Sequence, residues 1–255
     1  MHHGPVISIL TPTRNRHTSF LPHAIASARS LQLTCPYEHI IVDDASDDGT
    51  YRYLEQMAQI DPRIVVVHHD QQRGVASARN SAAHAAQGTF LVDLDDDDML
   101  TAAGVEQRWH FLCDNPAFWA VHANALKVDE EGRYLIGEDV TNWFCPDRTE
   151  CARLFFTSAM IPNASTAMYR RRELLDLGAW DDSLTCCEDY DLWLRSIGRY
   201  GAPGFISDIV ALYRAKRNSL GINSVRSGVH ERNQNVVKNR HRHLVAPDEH
   251  HAHAE

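Results

Sequence analysis

A short apolar strand that runs directly into five aspartates constrains the fold of this chain more than any other stretch. The apolar residues 90–92 follow Gly88-Thr89, and Asp93 and then Asp95 to Asp98 come after them within six residues. Carboxylates packed this closely repel one another unless a cation offsets their charge. Oxygen ligands with no His or Cys among them are the set that Mg²⁺ or Mn²⁺ prefers. We therefore predict a divalent-metal site at this strand end rather than a solvated acidic turn.

Four short apolar segments alternate with helical segments over the first hundred residues. We predict strands at 6–10, 39–42, 63–68 and from 88 onward, with helices at 19–31, 51–60 and 74–86 between them. This alternation is typical of a parallel sheet in a doubly wound α/β domain, with helices on both faces.

Polar residues end three of these strands: Thr11 and Thr13 the first, Asp43 and Asp44 the second, and the aspartate run the fourth. Because the carboxyl ends of parallel strands gather along one edge of the sheet, we expect these side chains to meet in one crevice. The chain lacks the glycine-rich motifs of dinucleotide-binding and P-loop proteins. A nucleotide bound here therefore needs a metal ion to neutralise its diphosphate.

The second half of the chain is less regular. We predict helices at 101–113, 171–177 and 188–200, strands at 118–123, 164–170 and 206–214, and a hairpin over 128–135. From about residue 221 polar residues dominate, and we predict a helix at 226–242 and a disordered tail from 247.

The composition excludes several classes of protein. The net charge is −9, so no basic surface favours nucleic acid or anionic lipid. No apolar run approaches ~18 residues and no signal peptide opens the chain, so we expect no membrane-spanning segment. The six cysteines lack metal-binding spacing. We interpret them, the adjacent Cys186 and Cys187 included, as reduced thiols of a cytoplasmic protein rather than as a redox pair.

Taken in order, several motifs of the chain resemble those of family 2 glycosyltransferases with the GT-A fold, cytosolic enzymes that use nucleotide-sugar donors. The matching motifs are VISILTPTRNR at 6–16, IIVDDASDDGT at 40–50, GVASARN at 74–80, the aspartate run within 88–100, GAWDDSL at 178–184 and EDYDLWLR at 188–195. A weaker match is Tyr213-Arg214 with Asn218-Ser219. Each motif alone is weak, and the ordered set is specific.

The resemblance implies donor-binding roles for the polar strand ends. The family holds the base and ribose of the donor at the positions of Thr11 and Asp44, and we expect the same donor site to include Pro12, Thr13, Arg14 and Asp43. Arg79, on the helix after Gly74, is expected to pair with the base or phosphate; the alternative is a surface arginine on an alanine-rich helix.

The resemblance also assigns the aspartates and the catalytic carboxylates. Residues 94–98 align with the family's Asp-x-Asp motif, which makes Asp97 the direct ligand of Mn²⁺ or Mg²⁺, Asp95 its partner, and Asp96 a contact of the donor ribose or sugar. A register shifted by one residue stays open. Asp189 is the predicted general base and Glu188 its rival, with Glu188 and Asp191 expected to raise the pKa of Asp189.

The resemblance implies a GT-A domain built on one mostly parallel sheet with a smaller mixed acceptor-side region. Residues 1–100 are its nucleotide-sugar-binding half, 101–220 its acceptor-binding and catalytic half, and 221–255 a polar helix with a His-rich, partly disordered tail. Trp143 and Phe144, in the variable segment 124–165, either stack on the acceptor sugar or pack in the core.

The predicted activity is transfer of a sugar, with inversion, from a nucleotide-diphospho-sugar, a UDP-sugar first of all. The acceptor is a carbohydrate, a lipid-linked or another hydroxyl compound of polysaccharide, glycolipid or glycoconjugate synthesis. The processive members' Gln-x-x-Arg-Trp motif and membrane helices are absent. We therefore expect single addition, with peripheral membrane contact compatible. Two alternatives stay open: a sugar-nucleotidyltransferase, which needs a glycine-rich basic loop after the first strand, and a catalytically inactive nucleotide-sugar-binding module.

Overall fold

The computed structural model describes residues 4–138, 140–141, 145, 147–158, 163–217 and 219–245. Within these residues eight strands form one sheet: β1 (Ile7–Thr13), β2 (Tyr37–Asp43), β3 (Ile64–His68), β4 (Phe90–Asp93), β5 (Met99–Leu100), β6 (Ala120–Val128), β7 (Met168–Arg170) and β8 (Gly204–Arg214). The helices are α1 (Leu21–Arg29), α2 (Thr50–Ile60), α3 (Val75–Ala85), α4 (Gly104–Asp114), α5 (Arg148–Ser158), α6 (Arg171–Asp176), α7 (Glu188–Tyr200), α8 (Leu220–Arg226) and α9 (Val229–His241).

The sheet has a parallel half and a mixed half. Its strand order is β3-β2-β1-β4-β7-β6-β8-β5. β3, β2, β1 and β4 are parallel to one another. β7 is antiparallel to both β4 and β6, β8 is parallel to β6, and β5 is antiparallel to β8. The predicted α/β architecture, with a parallel sheet and a smaller mixed region, is therefore confirmed.

Alternate residues of the central strands serve two opposite cores. Ile9 and Val92 pack on one side with the buried faces of α1 and α4. Leu10 and Leu91 pack on the other side with α3 and α7. This period of two is what a strand with both faces buried produces. The small alanines along the buried side of α3 let that helix lie directly on the central strands.

Two predicted elements of the second half differ from the structure. The first part of the predicted strand at 164–170 is a 3₁₀ turn, Ala164–Thr166, because the Asn163 side chain accepts the N–H of Ser165. The predicted helix at 226–242 is α9, which begins only after Gly228 at φ +70°, and the preceding α8 had no predicted counterpart. The predicted hairpin at 128–135 is present as one antiparallel bridge, which joins Val128 at the end of β6 to Tyr134.

Some predictions are left without a structural outcome. Trp143, Phe144 and the tail from 247 lie outside the described residues, and the division at residue 100 stays a prediction. Helix α5 had no predicted counterpart. No described helix is both long and apolar enough to cross a membrane.

Candidate active site

The carboxyl ends of β1, β2 and β4 meet at one edge of the sheet. Thr13 lies opposite Asp43 in the register of β1 and β2. The Thr13 hydroxyl donates a hydrogen bond of 2.7 Å to Oδ2 of Asp96, which follows β4 and is 83 positions away in the sequence. The polar ends of β1 and β4 are therefore joined directly at this edge.

Three aspartates of the turn after β4 bring their carboxylates together. One oxygen each from Asp95, Asp97 and Asp98 lies within 4.8 Å of the other two. The backbone N–H of Asp98 donates a hydrogen bond of 3.1 Å to the Asp95 carbonyl, which closes the turn. Three hard oxygen donors at this spacing fit the coordination of Mg²⁺ or Mn²⁺.

The other two aspartates of the run face away from this set. Asp93 is buried on β4, where its Oδ2 accepts a hydrogen bond of 3.2 Å from the Tyr169 hydroxyl. Asp96 turns toward β1, where it accepts from Thr13 and lies 3.7 Å from Nε of Arg16. The carboxylates of the two predicted ligands, Asp95 and Asp97, thus lie next to that of Asp98. The sequence predicted no role for Asp98.

Burial favours the protonated form of several of these carboxylates when no cation is bound. Burial, reinforced by the neighbouring Asp95, raises the pKa of Asp98 to about 8. Burial also raises the pKa of Asp93 to about 7 and that of Asp96 in the same direction. A cation in the cluster favours the ionised form of each carboxylate. The electrostatics therefore fit a divalent ion as well as the geometry does.

Lys216 is a site residue that no motif predicted. Its Nζ forms an ion pair with Oδ2 of Asp97, and both side chains are largely buried. Burial lowers the pKa of Lys216. The one signal in the sequence was its place just after the weak Tyr213-Arg214 match. Lys216 gives Asp97 a positively charged partner at the position where the sequence predicts a metal ligand.

Arg214 and Ser165 hold the aspartate turn in place. The Arg214 backbone N–H donates a hydrogen bond of 2.8 Å to Oδ1 of Asp98, and the Ser165 hydroxyl donates one of 2.7 Å to Oδ2 of the same residue. The Arg214 guanidinium donates to the backbone carbonyl of Asp97 at 2.9 Å. Asp98 is therefore fixed by the 3₁₀ turn and by β8 before any ion binds.

Arg79 joins the aspartate turn to the start of α7. Its Nη2 donates a hydrogen bond of 2.7 Å to Oδ1 of Asp95. Its Nη1 donates to Glu188 at 2.9 Å and to Asp189 at 3.1 Å. The guanidinium is buried against the Trp180 ring, 5.9 Å from its centroid, which excludes the surface-arginine alternative. Burial alone would lower the pKa of Arg79, but the surrounding carboxylates raise it well above its usual value.

Asp189 lies in the first turn of α7 and is the less buried of the two catalytic candidates. Burial raises the pKa of Asp189 to about 8 against the opposing effect of Arg79, and Glu188 adds to the rise. Asp191, which was expected to add to this rise, has other partners. Asp191 points away, with Nε of Arg195 at 2.6 Å and Nε2 of His241 at 2.9 Å. The prediction for Asp191 was wrong because residues two positions apart on a helix, such as Asp189 and Asp191, face different sides.

Asp44 anchors the loop that precedes α3. Its carboxylate accepts the backbone N–H groups of Arg73 and Gly74, both at 2.8 Å. Nδ1 of His69 lies 2.8 Å from Oδ1 of the same carboxylate. Asp44 is buried, so these contacts use the oxygens that the sequence assigned to the donor base or ribose. The donor-binding role of Asp44 stays a prediction.

The remaining predicted donor-binding residues differ in their burial and in their hydrogen-bond partners. Asp43 is fully buried and pairs through Oδ2 with Nδ1 of His68 at 2.9 Å, while its Oδ1 has no partner among the described residues. Thr11 is buried, with its hydroxyl 2.9 Å from Nε2 of His39. Pro12 is buried on β1 and Arg14 is exposed just beyond it. The structure thus brings Thr13 and Asp96 together and keeps Thr11 inside the sheet.

The assembled groups can perform two chemical tasks side by side. Asp95, Asp97 and Asp98 can hold a divalent cation, which neutralises a leaving diphosphate. Asp189 can accept a proton, since its pKa of about 8 lies close to the range that suits a general base. The Arg79 guanidinium connects the two sets directly.

A comparison with protein families covers the aspartate turn and Arg79, but not the residues of α7 and β8. The sequence profile described as "Glycosyl transferase family 2" matches residues 8–178. The chain is 29% identical over 229 residues to the "Putative colanic acid biosynthesis glycosyl transferase WcaA" of Escherichia coli (strain K12). That match covers 88% of this chain and 77% of the relative.

Solved structures share the fold at low sequence identity. The S. aureus TarS fragment 1–349, solved in complex with UDP-GlcNAc, has a TM-score of 0.69 and 16% identity, over 94% of this chain and 70% of that one. The mannosyltransferase PcManGT from Pyrobaculum calidifontis, solved with GDP-Man and Mn²⁺, has a TM-score of 0.67 and 19% identity, over 94% and 65%. The chain spans only 36% of another TarS chain, at a TM-score of 0.66.

Proposed function

The chain belongs to glycosyl transferase family 2; from this premise we propose that it transfers a sugar, with inversion and with the help of Mn²⁺ or Mg²⁺, from a nucleotide-diphospho-sugar to an acceptor hydroxyl. The proposed donor is a UDP-sugar. The proposed acceptor is a carbohydrate, lipid-linked or other hydroxyl compound of polysaccharide or glycoconjugate synthesis, and each turnover adds one sugar.

One observation carries the proposal: the buried Arg79 guanidinium contacts the aspartate turn and the Glu188-Asp189 pair at once, at 2.7 to 3.1 Å. A transferase of this kind must place the donor's leaving group and the acceptor's proton acceptor a short distance apart. Arg79 fixes that distance from inside the protein. A purely structural ion pair would not need three carboxylates around one cation.

In the proposed reaction, the chain's own residues position the two substrates. Asp97 and Asp95 would hold the cation, with Asp98 beside them, and the cation would neutralise the charge of the leaving diphosphate. Asp189 accepts the proton of the acceptor hydroxyl as that oxygen attacks the anomeric carbon from the face opposite the diphosphate. Glu188 orients the acceptor or the start of α7. Attack from the opposite face inverts the anomeric configuration.

The proposal for the donor site is based on the contact between Thr13 and Asp96. This pair suits contact with the donor ribose or sugar, and Arg16 lies beside it. We also keep the proposed contacts with the base and ribose at Thr11, Pro12, Arg14, Asp43 and Asp44. The buried residues among them would act by setting the backbone shape of the strand ends. The solved relatives bind UDP-GlcNAc and GDP-Man according to their titles, which supports a nucleoside-diphosphate donor.

A thermal-shift panel of nucleotides and nucleotide-sugars, with Mn²⁺ or with EDTA, tests the proposal. UDP at ~100 times its dissociation constant should stabilise the fold by about 2.7 kcal/mol in Mn²⁺. Asp97→Asn should abolish the metal-dependent part and leave the unliganded melting temperature near that of the wild type. Equal stabilisation in EDTA and Mn²⁺ would contradict the metal-bridged donor.

Hydrolysis and transfer assays with the same nucleotide-sugars separate the alternatives. The proposed enzyme releases the nucleoside diphosphate. A sugar-nucleotidyltransferase would release pyrophosphate from a nucleoside triphosphate instead, and an inactive binding module would bind the donor without turnover.

A further inference from the structure

Two adjacent cysteines and a histidine form a second cluster of metal-ligand type, and the cysteines directly precede Glu188 and Asp189 in the chain. Cys186 and Cys187 precede α7, and His230 lies in the first turn of α9. The Cys187 sulfur lies 3.9 Å from the Cys186 sulfur and 3.6 Å from Nδ1 of His230. One ligand atom from each of the three residues lies within 4.8 Å of the others. We call this set the thiol–imidazole cluster.

These separations match those of zinc ligands. Tetrahedral Zn²⁺ binds sulfur at about 2.3 Å and imidazole nitrogen at about 2.0–2.1 Å, which places two ligand sulfurs about 3.8 Å apart and a sulfur and a nitrogen about 3.6 Å apart. The Cys187–Cys186 sulfur separation of 3.9 Å and the Cys187 sulfur to His230 Nδ1 separation of 3.6 Å are close to these two values.

We propose that Cys186, Cys187 and His230 bind a zinc ion that fastens α9 to the start of the catalytic helix α7. Three protein ligands leave a fourth position for solvent or a small ligand. Soft thiolates with an imidazole select Zn²⁺, whereas the carboxylates of the aspartate turn select hard cations. The two sites therefore take different metals, and this site does not depend on the proposed transfer reaction.

The surroundings of the cluster are arranged to orient its ligands. Cys187 has φ +66°, a left-handed conformation that non-glycine residues adopt rarely, and it turns the chain into α7. The Asn233 side chain, one turn after His230 on α9, donates hydrogen bonds to the Cys186 carbonyl at 3.1 Å and to its sulfur at 3.5 Å. A hydrogen-bonded second layer of this kind is typical of metal ligands.

A redox role for the two thiols fits less well. Both cysteines are free thiols in the structure. The two sulfurs are also far beyond the ~2.05 Å of a disulfide bond.

Cobalt titration of the 255-residue chain tests the site. Co²⁺ bound to thiolate gives a ligand-to-metal charge-transfer band in the near ultraviolet and strong visible bands when it is tetrahedral. The wild type should show both at one equivalent, and one equivalent of Zn²⁺ should remove them. The histidines of the tail have no thiolate and cannot produce the charge-transfer band.

Variants locate the ligands. Cys187→Ser and Cys186→Ser should each lose most of the charge-transfer band, and His230→Gln should weaken Co²⁺ binding by roughly 10–100-fold, at least the loss seen for outer-layer partners. Cys113→Ser, which removes an exposed thiol elsewhere, is the matched control and should titrate like the wild type. Asp97→Asn should also leave the band unchanged, which separates this site from the aspartate turn.

Circular dichroism and metal analysis complete the test. Each variant must give a folded spectrum, and the wild type purified in zinc-containing buffer should retain one Zn²⁺ after gel filtration. The proposal is overturned if the wild type gives no thiolate band, if Cys187→Ser retains it, or if mass spectrometry finds Cys186 and Cys187 joined as a disulfide in the titrated protein.

Discussion

At the scale of single residues, Asp189 is the most direct test of the proposed chemistry. Loss of a general base typically lowers turnover by about 10²–10⁴-fold. We therefore expect Asp189→Asn to reduce kcat by roughly this factor, while UDP and Mn²⁺ bind nearly as in the wild type, because Asp189 touches the metal cluster only through Arg79.

Glu188→Gln is the matched comparison, since it removes the neighbouring carboxylate from the same guanidinium. Its effect on kcat should be the smaller of the two. If Asp189→Asn keeps more than about a tenth of the wild-type kcat, less than a lost base normally costs, the base is Glu188. Asp191 is not a further candidate, because it faces Arg195 and His241.

Lys216 leads to a prediction about metal affinity. Its ammonium pairs with Asp97, so a divalent cation must compete with it for that carboxylate. Lys216→Gln should tighten Mn²⁺ binding in the absence of nucleotide by several-fold, because losing a competing ion pair is worth about 1 kcal/mol. Isothermal titration with Mn²⁺ measures this. Arg16→Gln, beside Asp96, is the control; unchanged or weaker Mn²⁺ binding by Lys216→Gln would refute the competition.

At the scale of elements, the contact between α4 and β8 depends on Gly104. A Cβ there would lie 2.5 Å from the Cα of Val210, a backbone atom that cannot move aside easily. Gly104→Ala should lower the free energy of unfolding by about 1–3 kcal/mol, as overpacking does. Urea unfolding measures the change.

Gly221→Ala is the matched control for this contact. Gly221 lies in α8 and a Cβ there meets only the Ser219 hydroxyl, at 3.9 Å. Alanine is the better helix former by roughly 0.5–1 kcal/mol, so this variant should be neutral or more stable. Equal losses in both variants would mean that the α4–β8 packing is not the cause.

The elements of the first half follow from local sequence, whereas much of the second half does not. The predicted strand at 39–42 falls within β2, and the predicted helix at 51–60 within one residue of α2, because apolar alternation and turn residues mark both. The strand predicted at 164–170 keeps only its end as β7, since hydrogen bonds of Asn163 stabilise a 3₁₀ turn before it. No local pattern announced α5.

The site shows the same division between local and distant information. The aspartate run can be recognised in the sequence because its residues are nearly consecutive. Its place at the carboxyl edge of the sheet follows because it comes directly after a predicted parallel strand. The bond between Arg79 and Glu188 joins residues 109 positions apart, and the partner of Asp97 comes from beyond β8. Such pairings depend on tertiary packing, so one sequence without the fold cannot specify them.

At the scale of the whole molecule, buried histidines make stability depend on pH. Burial lowers the pKa of His39 and of His122 to about 3, against about 6.5 in an unfolded chain. Unfolding therefore takes up protons below pH ~6.5, and the stability that each histidine contributes above that pH is lost at about 1.4 kcal/mol per pH unit as the pH falls toward its folded pKa. The raised pKa values of Asp93 and Asp98 act in the opposite direction, so the difference between variants is the informative quantity.

His122→Leu isolates one histidine, in a pocket beside Trp193 and Phe205. Between pH 7 and 5 its free energy of unfolding should fall less steeply than that of the wild type, by up to about 1.4 kcal/mol per pH unit. Replacement of the exposed His84 by leucine is the control. Parallel pH profiles for wild type and His122→Leu in urea unfolding would show that His122 is not held neutral.

Arg79 has a consequence for how the binding of one substrate affects the binding of the other. One guanidinium holds Asp95 and, through its other terminal nitrogen, Glu188 and Asp189. A cation that arrives with the donor at Asp95 competes with that guanidinium for the Asp95 carboxylate, and the contact of Arg79 with the two carboxylates of α7 changes in response. Binding at one end must then alter affinity at the other by the same factor in both directions. Saturation with the donor and its cation should therefore change the dissociation constant of the acceptor, and saturating acceptor should change that of the donor by the same factor.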